Sequence, residues 1–238
     1  MVKGQNELFL RFKGEMPSNQ KITEIGLKMA VVGDRERIKL NFSSIFEKAL
    51  RASYEEYLLA EDRVGNQLLE KYLSLNPTRP YQELNNFFLA ISQSRKPRAG
   101  KAFENVIKEL FKRLNYPFAE QAVINGKPDF LLPSKEYYES NAMDCIVFTA
   151  KRTLRERWRQ IVTEGTKAYG FFLATQDSKV TMMQLKEMAM NKIFLVVPVS
   201  LKEGIKTYFD SSNVITFEDF FEDHLDPAVA RWKKRGVV

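Results

Sequence analysis

The part of the chain between residues 127 and 164 contains two carboxylates and a lysine whose types and spacing could do chemistry together. Asp129 stands at the start of a predicted strand, and Lys151 directly follows the apolar strand predicted over residues 144–150. Glu164 lies thirteen positions after Lys151. Hydrolysis of a phosphodiester needs a hard cation that polarises the phosphoryl oxygen and activates water, and Mg²⁺ is usually bound through one or two carboxylates. Because a nearby lysine can stabilise the developing charge, this set predicts metal-assisted chemistry on a phosphodiester.

A basic segment, Arg155-Glu156-Arg157, follows the predicted strand and begins the helix that carries Glu164. Arginine donates two hydrogen bonds to phosphate or to O6 and N7 of guanine, and glutamate accepts from N4 of cytosine. The segment is therefore predicted to read base pairs in the major groove of DNA. The alternative is an ordinary exposed helix face that contacts phosphates.

A second cluster of cations is predicted to lie just before or at the start of a helix that ends near Leu114, and comprises Arg95, Lys96, Arg98 and Lys101. The N-terminus of a helix is itself a binding site for anions. These four side chains are therefore predicted to contact DNA.

The amino-acid composition favours some classes of protein and excludes others. The 238 residues include 37 Lys and Arg against 30 Asp and Glu, a net charge of +7, and 44% of them are hydrophobic. A basic surplus favours a polyanionic partner, although a merely basic soluble protein has the same charge. The single cysteine, Cys145, excludes a disulfide framework, and the single histidine, His224, excludes a histidine-rich metal site. With no signal peptide and no apolar run of membrane-spanning length, a cytoplasmic location without a membrane partner is expected.

The first third of the chain is predicted to be mainly helical. Short strands are predicted at residues 7–12 and 37–42, where apolar and polar residues alternate. From about residue 43 to 73 apolar residues recur at helical spacing, and Gly65 is where one helix could become two. A further helix is predicted over residues 80–92.

Strands and helices alternate in the rest of the chain. Asn125-Gly126 between two apolar runs predicts a hairpin, and residues 133–141 are predicted to form a loop. The predicted strands are residues 121–124, 128–132, 144–150, 171–175 and 193–199. The predicted helices are residues 154–169, 180–190, 201–209 and 217–224. This alternation is typical of an α/β sheet with parallel pairs of strands.

Residues 95–200 resemble the PD-(D/E)XK nucleases, in the stretches SRKPRAGKAFE, INGKPDFLLPS and RWRQIVTEG. The acidic residue that this family has two positions before the lysine is absent, since the tripeptide is Thr149-Ala150-Lys151. The departure matches one branch of type II restriction endonucleases, which contains EcoRII, PspGI, SsoII and NgoMIV. That branch replaces the missing carboxylate with a glutamate on the following helix, and Glu164 stands at that position.

The resemblance implies a restriction-endonuclease-like α/β core, a central mixed sheet flanked by helices, with an N-terminal mainly helical subregion. It implies that Asp129 and Glu164 bind Mg²⁺ and that Lys151 is the catalytic cation. It also implies that Arg155-Glu156-Arg157 reads the major groove. An early-helix glutamate can face the active centre in this family, so Glu104 is a candidate catalytic carboxylate, with a solvated surface glutamate as the alternative.

The same resemblance implies the partners. Double-stranded DNA would be cut at a short palindrome with CC and GG halves, CCNGG or CCWGG, and cutting both strands of a palindrome calls for a homodimer. A DNA methyltransferase of the same restriction–modification system, not physically bound, is expected in the same prokaryotic cytoplasm. Some relatives hold extruded central bases against an aromatic ring and an arginine, and Tyr54 or Tyr57 could supply the ring here.

A single domain over residues 1–238 is expected. Within it we predict a DNA-binding and dimerisation subregion at 1–93, a catalytic core at 94–200 and a C-terminal extension at 201–238. The alternatives are a DNA-binding protein of the same fold, non-cleaving or of the repair type, and a purely structural use of the three chemical side chains. Retention of all three favours the nuclease, because a binding-only relative is expected to have lost at least one.

Overall fold

The computed structural model describes residues 7–31, 33–124, 127–154, 168 and 170–238. The chain divides into two compact units. The N-terminal unit comprises Met1–Ala30 and Lys48–Asn105, and the sheet unit comprises Val31–Glu47 and Val106–Val238. The boundaries of these units differ from those of the predicted subregions, residues 1–93, 94–200 and 201–238. The functions assigned to those subregions stay a prediction.

Helices build the described part of the N-terminal unit. Helices α1 (Glu7–Glu15) and α2 (Asn19–Ala30) belong to it, and α3 (Arg35–Leu40) belongs to the sheet unit. Two longer helices, α4 (Phe42–Ser74) and α5 (Pro80–Arg113), contribute residues to both units. The core of the N-terminal unit is formed by Phe12, Met16, Ile22, Tyr57, Ala60, Val64, Leu68, Phe87 and Ile91.

Helices α1 and α3 occupy the segments predicted as strands, residues 7–12 and 37–42, so that prediction was wrong. Over six residues, an alternation of apolar and polar side chains also fits a helix that buries only some of the apolar ones. In α3 the side chain of Ile38 is 5% exposed, whereas Leu40 is 73% exposed. A strand would have placed both on one face of a sheet, and burial on one helix face separates them instead.

Both long helices continue through residues that often end a helix. Helix α4 runs through Gly65 without a break, and α5 runs through Pro97. Proline removes one backbone donor and crowds the preceding turn, but Ile91 and Phe103 are buried on either side of it and keep the helix packed. The cations at residues 95–101 therefore lie inside a helix, and the prediction that they stand before or at its start was wrong.

The sheet unit is organised around a mixed sheet of six described strands, which lie side by side in sequence order. The strands are β1 (Ala119–Glu120), β2 (Phe130–Leu132), β3 (Ile146–Ala150), β4 (Gly170–Ala174), β5 (Ile193–Val197) and β6 (Val214–Thr216). Strands β1, β2 and β3 pair antiparallel, and β3 to β6 pair parallel. The predicted fold class, a central mixed sheet flanked by helices, is confirmed.

The two outer strands differ from the prediction. The first hairpin strand is Ala119–Glu120 instead of residues 121–124, because Gln121 has a φ of 47° and cannot continue an extended strand. The predicted turn residues Asn125 and Gly126 lie outside the described residues. Strand β6 is missed by the sequence pattern, since three residues are too few to show an alternation.

Residues 133–141, predicted as a loop, include helix α6 (Lys135–Asn141). Ser134 caps this helix, because its hydroxyl oxygen accepts from the backbone N–H of Tyr137 at 3.2 Å. A serine before a polar, aromatic run is the start signal that the loop prediction overlooked.

The helices predicted over residues 180–190, 201–209 and 217–224 are found to within a few residues. The first is α7 (Met182–Met190), the second is divided into α8 (Val199–Gly204) and α9 (Lys206–Phe209), and the third is α10 (Phe217–Asp219) with a π-helical turn (Phe220–Leu225). The last helix, α11 (Asp226–Lys234), was not predicted. The helix predicted over residues 154–169 falls almost wholly outside the described residues. No described helix combines the length and the apolar character that a membrane span needs.

The basic C-terminal helix α11 is bound to the segment that leads into β3. Arg231 Nε lies 3.1 Å from Asp144 Oδ1, and Arg235 Nη1 lies 2.8 Å from Asp144 Oδ2. The indole N–H of Trp232, a fully buried side chain, donates to the Asp144 carbonyl at 3.1 Å. These cations therefore stabilise the sheet unit.

Candidate active site

The side chains of Asp129 and Lys151 form an ion pair, with 2.9 Å between Asp129 Oδ2 and Lys151 Nζ. The two residues are 22 positions apart in the sequence. Antiparallel pairing joins them, because the register places Phe130 opposite Phe148 and so sets the residue before β2 beside the residues that end β3. The structure thus brings two of the predicted catalytic residues together.

The Asp129 carboxylate is nearly buried and the Lys151 ammonium is not. The Asp129 side chain is 10% exposed, and its Oδ2 also accepts from the backbone N–H of Ala150 at 2.8 Å. A buried carboxylate requires such partners, because burial otherwise costs it the hydration of its charge. The Lys151 side chain is 36% exposed, while its backbone N–H donates to the carbonyl of Ala174 at 2.9 Å. The ammonium can therefore meet a ligand from solvent while its backbone is fixed in the sheet.

Thr149 occupies the position two before the lysine, where the general nuclease motif has an acidic residue. Its side chain is 2% exposed, and its hydroxyl oxygen accepts from the backbone N–H of Asp129 at 3.4 Å. Thr149 therefore helps to place Asp129. Sequence reasoning missed this role and that of the Ala150 amide, because nothing in the tripeptide shows which neighbour they face.

Four predicted site residues lie outside the described residues, namely Arg155, Glu156, Arg157 and Glu164. Glu104 is described, and its Oε1 lies 2.7 Å from Lys101 Nζ within the N-terminal unit. Asp129 and Lys151 belong to the sheet unit. The role proposed for Glu104 from the resemblance stays a prediction.

The donor atoms at Asp129 suit a hard cation. The hydrogen bonds that its carboxylate accepts from described residues both end on Oδ2, which leaves Oδ1 for another ligand. Mg²⁺ takes oxygen ligands and often only one or two carboxylates. Within the described ranges no cluster of three or more His, Cys, Asp or Glu could hold a metal, and the binding of Mg²⁺ by Asp129 together with Glu164 stays a prediction.

Arg95 and Arg98, in the middle of α5, have partners within the N-terminal unit. The Arg95 guanidinium forms an ion pair with Glu61, whose hydrogen bonds raise the pKa of Arg95. Arg98 donates to the carbonyl of Pro17 at 3.2 Å, and Lys96 is exposed. A DNA contact by Arg95 would compete with Glu61, and DNA binding by this cluster stays a prediction.

The two tyrosines suggested for an extruded base differ in exposure. Tyr57 is 6% exposed, its hydroxyl donates to Glu61, and Arg98 Cζ lies 5.5 Å from its ring centroid. Burial, followed by the bond to Glu61, raises the pKa of Tyr57 to about 12. Tyr54 is 54% exposed. Tyr57 is therefore a core residue of the N-terminal unit, and Tyr54 has the ring surface that stacking on a base requires.

The chain matches one protein family and two curated relatives. The family model described as EcoRII C terminal matches residues 58–221. The type II restriction enzyme EcoRII of Escherichia coli is 33% identical in an alignment over 157 residues, and the match covers 63% of this chain and 38% of EcoRII. The type II restriction enzyme SsoII of Shigella sonnei is 28% identical in an alignment over 200 residues, and the match covers 76% of this chain and 63% of SsoII. The chain thus spans less than two thirds of the length of both relatives.

Solved structures of two further proteins share the fold. Metal-depleted Ecl18kI in complex with uncleaved, modified DNA has a TM-score of 0.80 at 22% identity, over 95% of this chain and 85% of that one. The complex of restriction endonuclease PspGI with substrate DNA has a TM-score of 0.66 at 23% identity, over 90% of this chain and 94% of that one. Because the family model covers well over half of the residues, the chain belongs to the EcoRII C-terminal family, within the branch of restriction endonucleases that its motif pattern indicated.

Proposed function

We propose that this protein is a type II restriction endonuclease that hydrolyses double-stranded DNA at a short palindrome with CC and GG halves, CCNGG or CCWGG. The observation that carries the proposal is the buried Asp129 carboxylate, 2.9 Å from the Lys151 ammonium, in a chain of the EcoRII C-terminal family. The relatives EcoRII and SsoII are type II restriction enzymes, which supports the reaction class. The DNA in the Ecl18kI and PspGI complexes supports the substrate.

Asp129, Glu164 and Lys151 are proposed to have different roles in the hydrolysis. Asp129 and Glu164 would hold Mg²⁺, which supplies a Lewis acid for the phosphoryl oxygen and activates the attacking water. The Lys151 ammonium stabilises the charge that develops on the phosphate or holds the attacking water. Its contact with Asp129 keeps the ammonium beside the metal-binding carboxylate, so that both can act on one phosphate.

The segment Arg155-Glu156-Arg157 is proposed to read the bases. Its arginines match the two guanines of a half-site, and its glutamate matches a cytosine amine. The setting we propose is a prokaryotic cytoplasm that also contains a DNA methyltransferase of the same system, which is not physically bound.

A non-cleaving DNA-binding protein of the same fold is the second candidate. The net charge of +7 favours it, because attraction to phosphates requires no chemistry. The ion pair between Asp129 and Lys151 argues against it, since DNA binding alone makes no use of a nearly buried carboxylate beside an ammonium.

Digestion of a plasmid of known sequence with Mg²⁺, followed by mapping of the ends, tests the proposed function. We expect discrete fragments whose ends share one palindrome with CC and GG halves, and no fragments in a parallel reaction with EDTA. Cuts without a common sequence would contradict the proposal. Selective binding of one sequence without any cut would favour the second candidate.

The protein is also expected to form a homodimer, because a palindrome cut on both strands needs two active sites related by a two-fold axis. Helices α4 and α5 leave large apolar side chains exposed that could pack between copies, among them Leu59, Leu73, Tyr81, Phe88 and Leu89. Sedimentation equilibrium should give twice the 27.7 kDa of the chain. A monomer both with and without cognate DNA would contradict this expectation.

A further inference from the structure

The residues that follow β3 are hydrogen-bonded to the last residue of β4 and to the chain that follows it. Besides the backbone bond of Lys151 described above, the hydroxyl of Thr175 donates to the carbonyl of Arg152 at 3.3 Å. The backbone N–H of Leu154 then donates to the Asp177 carboxylate, at 2.9 Å from Oδ2. Three bonds therefore hold the short segment that leads away from the catalytic lysine.

Asp177, which accepts the hydrogen bond from Leu154, is itself fixed by contacts with the core of the sheet unit. The backbone N–H of Asp177 donates to Thr175 Oγ1 at 3.0 Å, and its carbonyl accepts from the hydroxyl of Tyr208. Tyr208 is fully buried, and burial raises its pKa to about 12, so the hydroxyl keeps the proton that it donates. Thr175 is also fully buried, and its backbone N–H donates to the carbonyl of Val196 at 3.0 Å. Asp177 is thus fixed on one side by Thr175, which is bonded to strand β5, and on the other by the buried Tyr208.

We propose that Asp177 is a positioning residue for sequence recognition. Its carboxylate holds the amide of Leu154, which is bonded to Arg155, and so sets where the base-reading segment begins. This inference rests on the proposed function, in which Arg155-Glu156-Arg157 contacts the bases. Recognition requires side chains placed to within about 0.5 Å, and a segment that leaves its strand without an anchor does not provide that.

The hydrogen bond between the Leu154 amide and the Asp177 carboxylate is of a kind that can fix a backbone position. A backbone N–H bonded to an ionised carboxylate makes a shorter and stronger hydrogen bond than one between neutral groups. The Leu154 side chain is 1% exposed and belongs to the core of the sheet unit, whereas Asp177 is half-buried, so the bond lies at the edge of that core. The sequence signal is weak, since Thr175-Gln176-Asp177 after an apolar strand indicates only a turn.

Three variants, assayed for binding to cognate and random duplexes of equal length without Mg²⁺, test the proposal. Asp177→Ala is expected to lower the ratio of cognate to random affinity by about tenfold or more, the size expected when one hydrogen bond to a charged group is lost. Binding to random DNA should not change, because phosphate contacts are untouched. Asp177→Asn retains a side-chain oxygen for the Leu154 amide and should retain most of the ratio. Thr175→Val, nearly isosteric, should lower the ratio too, which keeps the test valid if Asp177→Ala folds poorly.

Asp219→Ala is the matched control. Asp219 follows β6, and its carboxylate accepts from the backbone N–H of Thr216 at 2.9 Å, but no proposed site residue adjoins it. Its loss should lower the melting temperature by a few degrees and leave the ratio unchanged. An unchanged ratio in Asp177→Ala, or an equal fall in Asp219→Ala, would overturn the inference. A wild-type protein without preference for any sequence would instead overturn the proposed function.

Discussion

Replacing Asp129 or Lys151 by alanine is expected to lower the rate of DNA cleavage by about 10²–10³-fold or more, while cognate DNA is still bound. Loss of Asp129 removes a proposed metal ligand, and loss of Lys151 removes the cation that lies 2.9 Å from it. Neither side chain is proposed to contact a base, so affinity without Mg²⁺ should change little. Single-turnover cleavage with Mg²⁺ and equilibrium binding without it measure the two effects separately.

Asp129→Asn separates the effect of the lost charge from that of the lost hydrogen bond. Asparagine keeps an oxygen that can accept from the Ala150 N–H, as Asp129 Oδ2 does at 2.8 Å, but it carries no charge. An inactive and normally stable Asp129→Asn protein would therefore separate metal binding from folding. Lys186→Ala, which removes an exposed lysine of α7, is the control for Lys151→Ala. Wild-type rates in Lys151→Ala, or full activity in EDTA, would contradict the proposed chemistry.

Replacing Arg155 or Arg157 by alanine should collapse the ratio of cognate to random binding. A bidentate contact between arginine and guanine contributes about 1–3 kcal/mol of discrimination, whereas a lost phosphate contact weakens binding to all sequences alike. Glu156→Ala should loosen discrimination at cytosine, because the carboxylate accepts from its N4 amine. Competition binding with cognate, singly substituted and random duplexes at several salt concentrations measures these effects.

Two further variants show whether discrimination between cognate and random DNA depends on the geometry of the arginine side chain or only on its charge. Arg157→Lys keeps the positive charge but loses the planar fork that donates twice to one guanine, so it should behave like the alanine variant. Arg152→Ala removes an exposed arginine of the same stretch that is not proposed to contact a base, and it should leave the ratio unchanged. If all three alanine variants of the recognition segment keep the ratio and alter only the salt dependence, the bases are read elsewhere.

The predicted catalytic residues Asp129 and Lys151 show how much of a site a local sequence pattern indicates. Pro128-Asp129 before one apolar run and Lys151 after another place both side chains at strand ends. The structure brings them together because these two strands, β2 and β3, are antiparallel neighbours. A sequence pattern indicates strands and their ends, but it does not indicate which strands pair.

The N-terminal third shows where periodicity fails. A six-residue alternation does not separate a strand from a short helix, and only the burial of Ile38 with the exposure of Leu40 decides for the helix. The helix predicted over residues 80–92 and the helix that ends near Leu114 are one continuous helix, α5, because buried residues on both sides of Pro97 hold it together. In both cases packing overrides the local preference.

By itself the sequence determined the available chemistry, the basic charge, the family and the α/β class, because these depend on residue types, motif spacing and the period of apolar residues. Only the tertiary structure decided which polar groups hold the site in place. The Ala150 amide binds Asp129 across 21 positions, and Asp177 binds the Leu154 amide across 23. Such contacts depend on the order and register of neighbouring strands, which no stretch of the chain encodes alone.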